Sequence, residues 1–261
     1  MELQHNTILI TGGTSGFGFE FASRLIAMGN TVIITGRNNQ KLQETRRRLP
    51  GVHTIQSDVS KPADIASLYD DVIRAFPDLN IIINNAGEMR QLVVHDAHDL
   101  YDVTREIDIN LMGPIRMIQQ FLPHLKKQKN AAILNVTSGI ALMAFPLTPV
   151  YSASKSGLRA YTQSLRVQLK HTGIKVFELV APGSPTPLNE KFLQVDGFDP
   201  KGLVPVKQVI DEAIKGLQRD QFEVYPGPLK FLRFIIRLFP GMVVNYASKV
   251  GAKAMAGSLK D

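Results

Sequence analysis

Thr7-Ile8-Leu9-Ile10-Thr11-Gly12-Gly13-Thr14-Ser15-Gly16-Phe17-Gly18 runs from a short apolar, β-branched segment into a glycine-rich turn, and an amphipathic stretch follows at about Gly16–Met28. A short, uniformly apolar run fits a strand buried on both faces, and the turn after it opens a helix. The same alternation recurs outward from there. Strand-length runs lie at Thr31–Thr35, Val52–Gln56, Asn80–Asn84, Ala131–Thr137, Ile174–Val180 and, more weakly, Phe222–Tyr225. Helical stretches separate them at about Gln40–Leu49, Pro62–Phe76, Asp99–Lys126, Tyr151–His171 and Pro205–Gln218. Seven strands alternating with six helices predict an α/β fold, a doubly wound parallel sheet with helices on both faces. No repeat or linker divides the 261 residues, so 1–261 reads as a single domain, a size that one α/β core can reach.

Composition narrows the class. Hydrophobic residues make up 44% and charged residues 20%, which excludes disordered and fibrous chains. The absence of cysteine removes disulfides, thiolate metal sites and cysteine nucleophiles together, and it fits a reducing compartment. Met1–Asn6 lacks a cationic region followed by an apolar core, and the apolar runs break short of the ~18 residues a spanning helix needs. A cytoplasmic protein is expected. The 30 basic and 23 acidic residues leave a charge of +7. Much of that excess lies beyond Pro226, where Lys230, Arg233, Arg237, Lys249, Lys253 and Lys260 face Asp261 alone. Arg46-Arg47-Arg48 and Lys126-Lys127-Gln128-Lys129 fall near helix C-termini and complement the helix dipole. No cationic run is interleaved with aromatics, so nucleic acid is not an expected partner.

In a doubly wound sheet, ligands bind outside the carboxyl ends of the strands. After the first run come Gly12, Gly16 and Gly18, with Thr14, Ser15 and Phe17 in the same loop. Glycine permits φ > 0 and close backbone approach, and the helix N-terminus beyond offers amides and a positive dipole end to a diphosphate. Any tight strand-to-helix turn also needs glycine, so the loop draws its weight from its place after the first strand. The later runs end in Gly36-Arg37-Asn38, Asp58-Val59, Asn84-Asn85-Ala86-Gly87, Thr137-Ser138-Gly139 and Pro182-Gly183. Small, polar and turn-forming residues therefore gather on one edge. An acid at the second strand end would bind a ribose 2′-hydroxyl, whereas Arg37 presents a planar cationic fork suited to a 2′-phosphate. The alternative is that Arg37 only caps a surface turn.

Tyr151-Ser152-Ala153-Ser154-Lys155 opens a helix, and a separation of four puts Tyr151 and Lys155 on one face. A phenol titrates near 10, and a neighbouring ammonium favours its phenolate. Such a pair alone usually marks only a surface helix. Here it begins 13 positions after Ser138, which can donate a hydrogen bond to a substrate oxygen from the end of the fifth strand. The six histidines form no His-Glu-x-x-His motif, and His95 and His98 with Asp96 and Asp99 read as an exposed helix start. No metal site is expected. The Gly-x-Ser-x-Gly elbow of a hydrolase is also missing.

Taken in order, Thr11-Gly12-x-x-x-Gly16-Phe17-Gly18, Asp58-Val59, Asn84-Asn85-Ala86-Gly87, Asn110, Ser138, Tyr151-x-x-x-Lys155 and Pro182-Gly183 resemble the shorter branch of the short-chain dehydrogenase/reductase family. The resemblance covers roughly Asn6 to Gly183. It implies a Rossmann-type sheet and an NADP(H)-dependent oxidoreductase that interconverts a carbonyl and an alcohol by hydride transfer. By the same resemblance Tyr151 is the general acid in reduction and the base in oxidation. Lys155 lowers its pKa and holds the nicotinamide ribose, Ser138 polarises the carbonyl, and Asn110 holds a water that links Lys155 to solvent. Asp58 contacts the adenine, and Asn85, Ala86 and Gly87 the adenosine-side ribose. Val59, Pro182 and Gly183 complete the cofactor wall. The alternatives are an NADP(H)-binding sensor or scaffold without turnover, and a protein that uses its basic tail at a membrane surface.

Two positions depart from the family pattern. Phe17 stands where isoleucine is common, and position 187 is proline where threonine is common, with Thr186 one residue early. The resemblance therefore implies no nicotinamide carboxamide contact after Gly183. The Gly-Phe-Gly-x-Glu start and the basic tail resemble a subgroup named after the operon for D-alanylation of Gram-positive teichoic acids.

Three further expectations complete the reading. Ser184–Val204 mixes Pro, Gly, acids and aromatics, as a substrate lid does. Leu111, Ile115, Ile118, Leu158, Tyr161 and Leu165 are candidates for helix pairing in a homo-dimer or homo-tetramer. In the tail 226–261, Leu229–Phe239 is an amphipathic helix with cations at 230, 233 and 237 and an apolar face of Phe231, Leu232, Phe234, Ile235, Leu238 and Phe239. Burial of that face as a wall of an apolar substrate pocket is preferred over a membrane surface.

Overall fold

Isoleucine, valine and leucine dominate the strand segments because both faces of the sheet are covered. The computed structural model describes residues 1–190, 192, 200–239, 241, 245 and 248. Strands β1 (Thr7–Thr11), β2 (Thr31–Gly36), β3 (Val52–Gln56), β4 (Leu79–Asn84), β5 (Ala132–Ser138), β6 (Lys175–Ala181) and β7 (Glu223–Val224) form one sheet in the order 3-2-1-4-5-6-7. All six pairings are parallel. Successive side chains of a strand point to opposite faces. Ile8 and Ile10 accordingly join one buried cluster, with Val32, Ile34, Phe21 and Leu25, while Leu9 joins the other, with Ile33, Ile82, Ile65 and Phe121.

The first cluster is covered by α1 (Gly16–Ala27) and α8 (Val206–Gln218); α3 (Pro62–Ala75), α5 (Gly113–Leu125) and α6 (Pro149–Gln168) cover the second. Helix α2 (Asn39–Arg48) flanks β2 and β3, and the Asn38 side chain caps it by accepting from the Lys41 amide at 3.0 Å. The strand order reverses between β1 and β4. That switch opens a crevice at the carboxyl edge.

The long helix expected over Asp99–Lys126 starts late and is not uniform. The Asp99 carboxylate accepts from the amides of Tyr101 and Asp102, at 2.9 Å each, a local turn that competes with helix. Helical backbone begins at α4 (Arg105–Ile107), passes through a π-turn at Asp108–Met112 and continues as α5. Of the six apolar positions expected to pair between subunits, Ile118, Leu158 and Leu165 are buried within the chain itself, leaving Leu111, Ile115 and Tyr161 partly exposed. A short α7 (Pro187–Glu190) lies in the expected lid, and α9 (Leu229–Leu238) follows β7. No described helix is long and apolar enough to cross a membrane.

Candidate active site

The glycine loop is held by backbone geometry and by the strand beside it. Gly12 and Gly16 have φ of +68° and +54°, a left-handed conformation that side chains disfavour. A Cβ on Gly12 would lie 2.8 Å from the Ala86 Cα, and one on Gly18 would lie 2.3 Å from the Gly12 carbonyl oxygen. The Asn85 side-chain amide donates to the carbonyls of Thr11 and Gly12 at 3.0 Å each, and the Thr11 hydroxyl accepts from the amides of Asn85 and Ala86. The Asn85 amide thus clamps the loop, and the residue also lines the cleft. Gly18 lies under the loop and outside the cleft wall, whereas Gly12, Thr14, Ser15, Gly16 and Phe17 line it.

Ser15 makes no side-chain cap at the start of α1, and the first turn carries no acid. Free first-turn amides with positive dipole character suit an anion. The loop therefore fits a cofactor diphosphate. Gly13, which the motif spacing passed over, is as constrained as its neighbours: a Cβ there would meet the Ile34 Cβ at 2.4 Å.

Beyond β2, Arg37 extends beside the cleft with its side chain 64% exposed. Its charged neighbour is Glu88, at 3.8 Å, a carboxylate that the strand-end pattern does not reveal. Lys41 lines the same wall. The Asp58 carboxylate accepts from the amide and hydroxyl of Ser60, at 3.0 and 2.8 Å, and so shapes its own turn. Asp58, Val59, Ala86 and Gly87 all line the cleft.

Ser138 closes β5, and its Oγ accepts from the Ile140 amide at 3.2 Å. Tyr151 and Lys155, one turn apart on α6, are 5% and 4% exposed. Lys155 Nζ lies 5.7 Å from the Tyr151 ring centre and donates to the Val136 carbonyl at 3.0 Å. Burial lowers the Lys155 ammonium to about 8. Burial pushes the Tyr151 phenol up to about 12; the Ser138 hydroxyl opposes the rise and the Glu106 charge adds to it. The phenol therefore lies above its ordinary range, not below it as the spacing to Lys155 suggests, because desolvation of the phenolate dominates. The phenol stays protonated at neutral pH.

Asn110 is fully buried in the π-turn and lies outside the cleft wall. Its Oδ1 accepts from the Glu88 amide, and its Nδ2 donates to the Glu88 carbonyl and to Ser154 Oγ, at 2.8, 2.8 and 3.0 Å. Ser154 Oγ in turn donates to the Tyr151 carbonyl at 2.8 Å. Its side chain thus ties the Gly87–Glu88 turn to the start of α6. Glu106, also fully buried, accepts from the amide and guanidinium of Arg90, which binds Asp102 as well. These charges lack a sequence signal, because each reads as one solvated residue of a polar stretch.

The cleft encloses about 790 Å³. Pro182 and Gly183 line its far side, and the Gly183 carbonyl accepts from the Val204 amide at 2.9 Å. Thr186 packs against the glycine loop, its Cγ2 3.3 Å from where a Gly16 Cβ would lie. Around the phenol, Met89 and Phe192 form an apolar cluster with Tyr151, backed by Ile140 and Leu188. Of the expected lid, residues 191 and 193–199 lie outside the described residues. The expected wall from the tail is narrower than the whole apolar face. Leu229 and Leu232 line the cleft, and Leu229 and Ile236 are buried, but Phe231, Phe234, Ile235, Leu238 and Phe239 are exposed. Most of the tail beyond Phe239 lies outside the described residues.

A family model described as short chain dehydrogenase matches residues 6–195. The oxidoreductase DltE of Bacillus subtilis, itself uncharacterized, is 36% identical over 234 residues, covering 89% of this chain and 92% of its own. A short chain dehydrogenase from Burkholderia cenocepacia, solved in complex with NADP, superposes with a TM-score of 0.81 at 23% identity, over 95% of this chain and 99% of its own. The 3-ketoacyl-(acyl-carrier-protein) reductase of Brucella melitensis, complexed with NADH, superposes with a TM-score of 0.75 at 26% identity, over 85% and 95%. The fold, the glycine loop and the Ser–Tyr–Lys group therefore have one common explanation: the chain belongs to the short-chain dehydrogenase/reductase family, as an oxidoreductase on a fold that binds a nicotinamide cofactor.

Proposed function

We propose that the protein is an NADP(H)-dependent reductase or dehydrogenase that interconverts an apolar carbonyl compound and its alcohol. The observation that carries this reading is the buried, proton-loaded Tyr151 between Ser138 and Lys155, in a cleft whose far end presents Arg37 and Lys41. When bound, the nicotinamide supplies or accepts the hydride. The chain's own part is orientation and proton transfer. Ser138 Oγ orients the substrate oxygen, and the Tyr151 hydroxyl gives it a proton in reduction. Lys155, close enough to neutrality to lose its proton, offers a route for reloading the phenol. Asn110 and Ser154 position the turn of α6 that carries Tyr151.

Met89, Ile140, Leu188 and Phe192 support an apolar substrate portion beside the phenol. For the cofactor, Arg37 pairs the 2′-phosphate, drawn there more strongly than to Glu88 at 3.8 Å. A cytoplasmic setting and a homo-dimer or homo-tetramer using Leu111, Ile115 and Tyr161 belong to the same reading. NADPH consumption across a panel of aldehydes and ketones tests it, with Tyr151→Phe as the control. Equal rates for the two proteins, or no consumption with any member of the panel, would reject it.

A further inference from the structure

Helix α9 has three faces. Leu229, Leu232 and Ile236 point inward; a Cβ at Gly139, the residue after Ser138, would meet Leu229 Cδ2 at 3.1 Å. At about 100° per residue, Lys230, Arg233 and Arg237 form a strip along one flank. Phe231, Phe234, Ile235 and Leu238 form the third face, with Phe239 just beyond it, and these five are between 42% and 75% exposed. Among the described residues nothing covers this face. Soluble surfaces seldom leave so many large apolar side chains together, and such a patch marks a contact.

The charge around the patch says which contact it fits. Lys230 is held by Glu212 at 2.9 Å, Arg233 lies over the rings of Tyr225 and Phe234, and Arg237 is exposed, with no ion pair among the described residues. From Pro226 to the end the sequence has six cations and a single acid. An apolar helix face edged by cations fits the boundary between headgroups and acyl chains of an anionic bilayer, where apolar insertion and electrostatic attraction act together. A second copy of the chain would bring the same cations against each other.

We infer that the outward face of α9 docks on an anionic lipid bilayer, with the helix lying in the interface plane. Because its inner face lines the cleft through Leu229 and Leu232, docking sets the cleft mouth beside the membrane, where apolar compounds partition. Docking itself needs no turnover, so it is tested apart from the proposed activity.

The test is flotation of the full-length protein with vesicles of phosphatidylcholine, alone or mixed with phosphatidylglycerol, at low and high salt. The expected result is co-flotation with the mixed vesicles, weakened by salt. It should fall by roughly tenfold or more in Phe231→Ser/Phe234→Ser/Leu238→Ser, and also in Arg237→Glu. These side chains face solvent, so thermal midpoint and cofactor binding should match wild type; Leu238→Ser alone provides a milder variant. No co-flotation of the wild-type protein would overturn the inference. So would co-flotation that survives the triple substitution but disappears in Lys249→Gln/Lys253→Gln/Lys260→Gln, which would assign binding to the tail. Sedimentation in which the triple substitution converts a dimer to a monomer, without wild-type flotation, would assign the face to a second copy and overturn it too.

Discussion

Replacing Lys155 with methionine should stabilise the protein at neutral pH while disabling it. The ammonium is 4% exposed and titrates near 8, against an ordinary 10.5. At about 1.36 kcal/mol per pH unit, a depression of that size corresponds to about 3 kcal/mol of unfavourable desolvation while the group is charged. Methionine keeps the aliphatic stem and removes the charge. It also removes the hydrogen bond to the Val136 carbonyl, which costs about 1 kcal/mol. The net expectation at pH 7 is a gain of about 2 kcal/mol, or roughly 4–8 °C in Tm for a chain of this size.

The sign reverses with pH. The folded-state pKa lies below the unfolded one, so between pH 8 and 10.5 the unfolded wild-type chain binds more protons and wild-type stability rises. The variant lacks this term. Its advantage should shrink through that window and end near −1 kcal/mol, the residual hydrogen-bond loss, by about pH 10.5. The Tyr151 phenol, raised to about 12, is present in both proteins and cancels in the comparison. Urea unfolding midpoints at pH 7 and pH 10 read the difference directly. A variant less stable than wild type at pH 7, or a difference that stays constant between the two pH values, would refute the reasoning.

Tyr151→Phe should keep the fold and the cofactor affinity and lose about 10²–10⁴-fold in turnover on a substrate found in the carbonyl panel, since only the proton-bearing hydroxyl is removed; near-normal turnover would exclude Tyr151 as the acid. In Arg37→Ala, NADP(H) affinity should fall about tenfold to a hundredfold, the equivalent of about 1.5–3 kcal/mol for a charge-assisted contact, with NAD(H) little changed. Calorimetric titration with both cofactors decides this, and an equal loss for the two would remove the 2′-phosphate assignment. Gly18→Ala would place a Cβ 2.3 Å from the Gly12 carbonyl and 2.6 Å from Asn85 Nδ2. Cofactor affinity should therefore drop while the far-ultraviolet circular dichroism is retained, and unaltered affinity would show that the loop is not held as described.

The strands and the ligand-bearing edge were legible because their signals are local. A run such as Thr7–Thr11, uniformly apolar and followed by glycines, has few other solutions, and the Tyr151–Lys155 spacing places both groups on one helical face whatever lies nearby. Helix ends were less legible. The expected helix over Asp99–Lys126 begins at Arg105 because the Asp99 carboxylate captures two backbone amides, a competition that periodicity does not register.

Residue types at the site could be read from the sequence, but several roles could not. The resemblance implies a ribose contact for Asn85 and a water for Asn110, but it does not reveal that their side-chain amides also bond Thr11, Gly12, Glu88 and Ser154. Burial, not proximity to Lys155, sets the ionisation of Tyr151. The α9 sequence shows an apolar face and a cationic one, but which apolar residues turn inward depends on Gly139 and the cleft wall, about ninety residues earlier in the chain. Sequence by itself determined the two-faced parallel sheet, the edge where its strand ends gather and the helical face that Tyr151 and Lys155 share, because these follow from spacing along the backbone. Tertiary structure alone decided which of those groups are desolvated, which are consumed by internal hydrogen bonds and which face solvent, because each depends on atoms brought close only by folding.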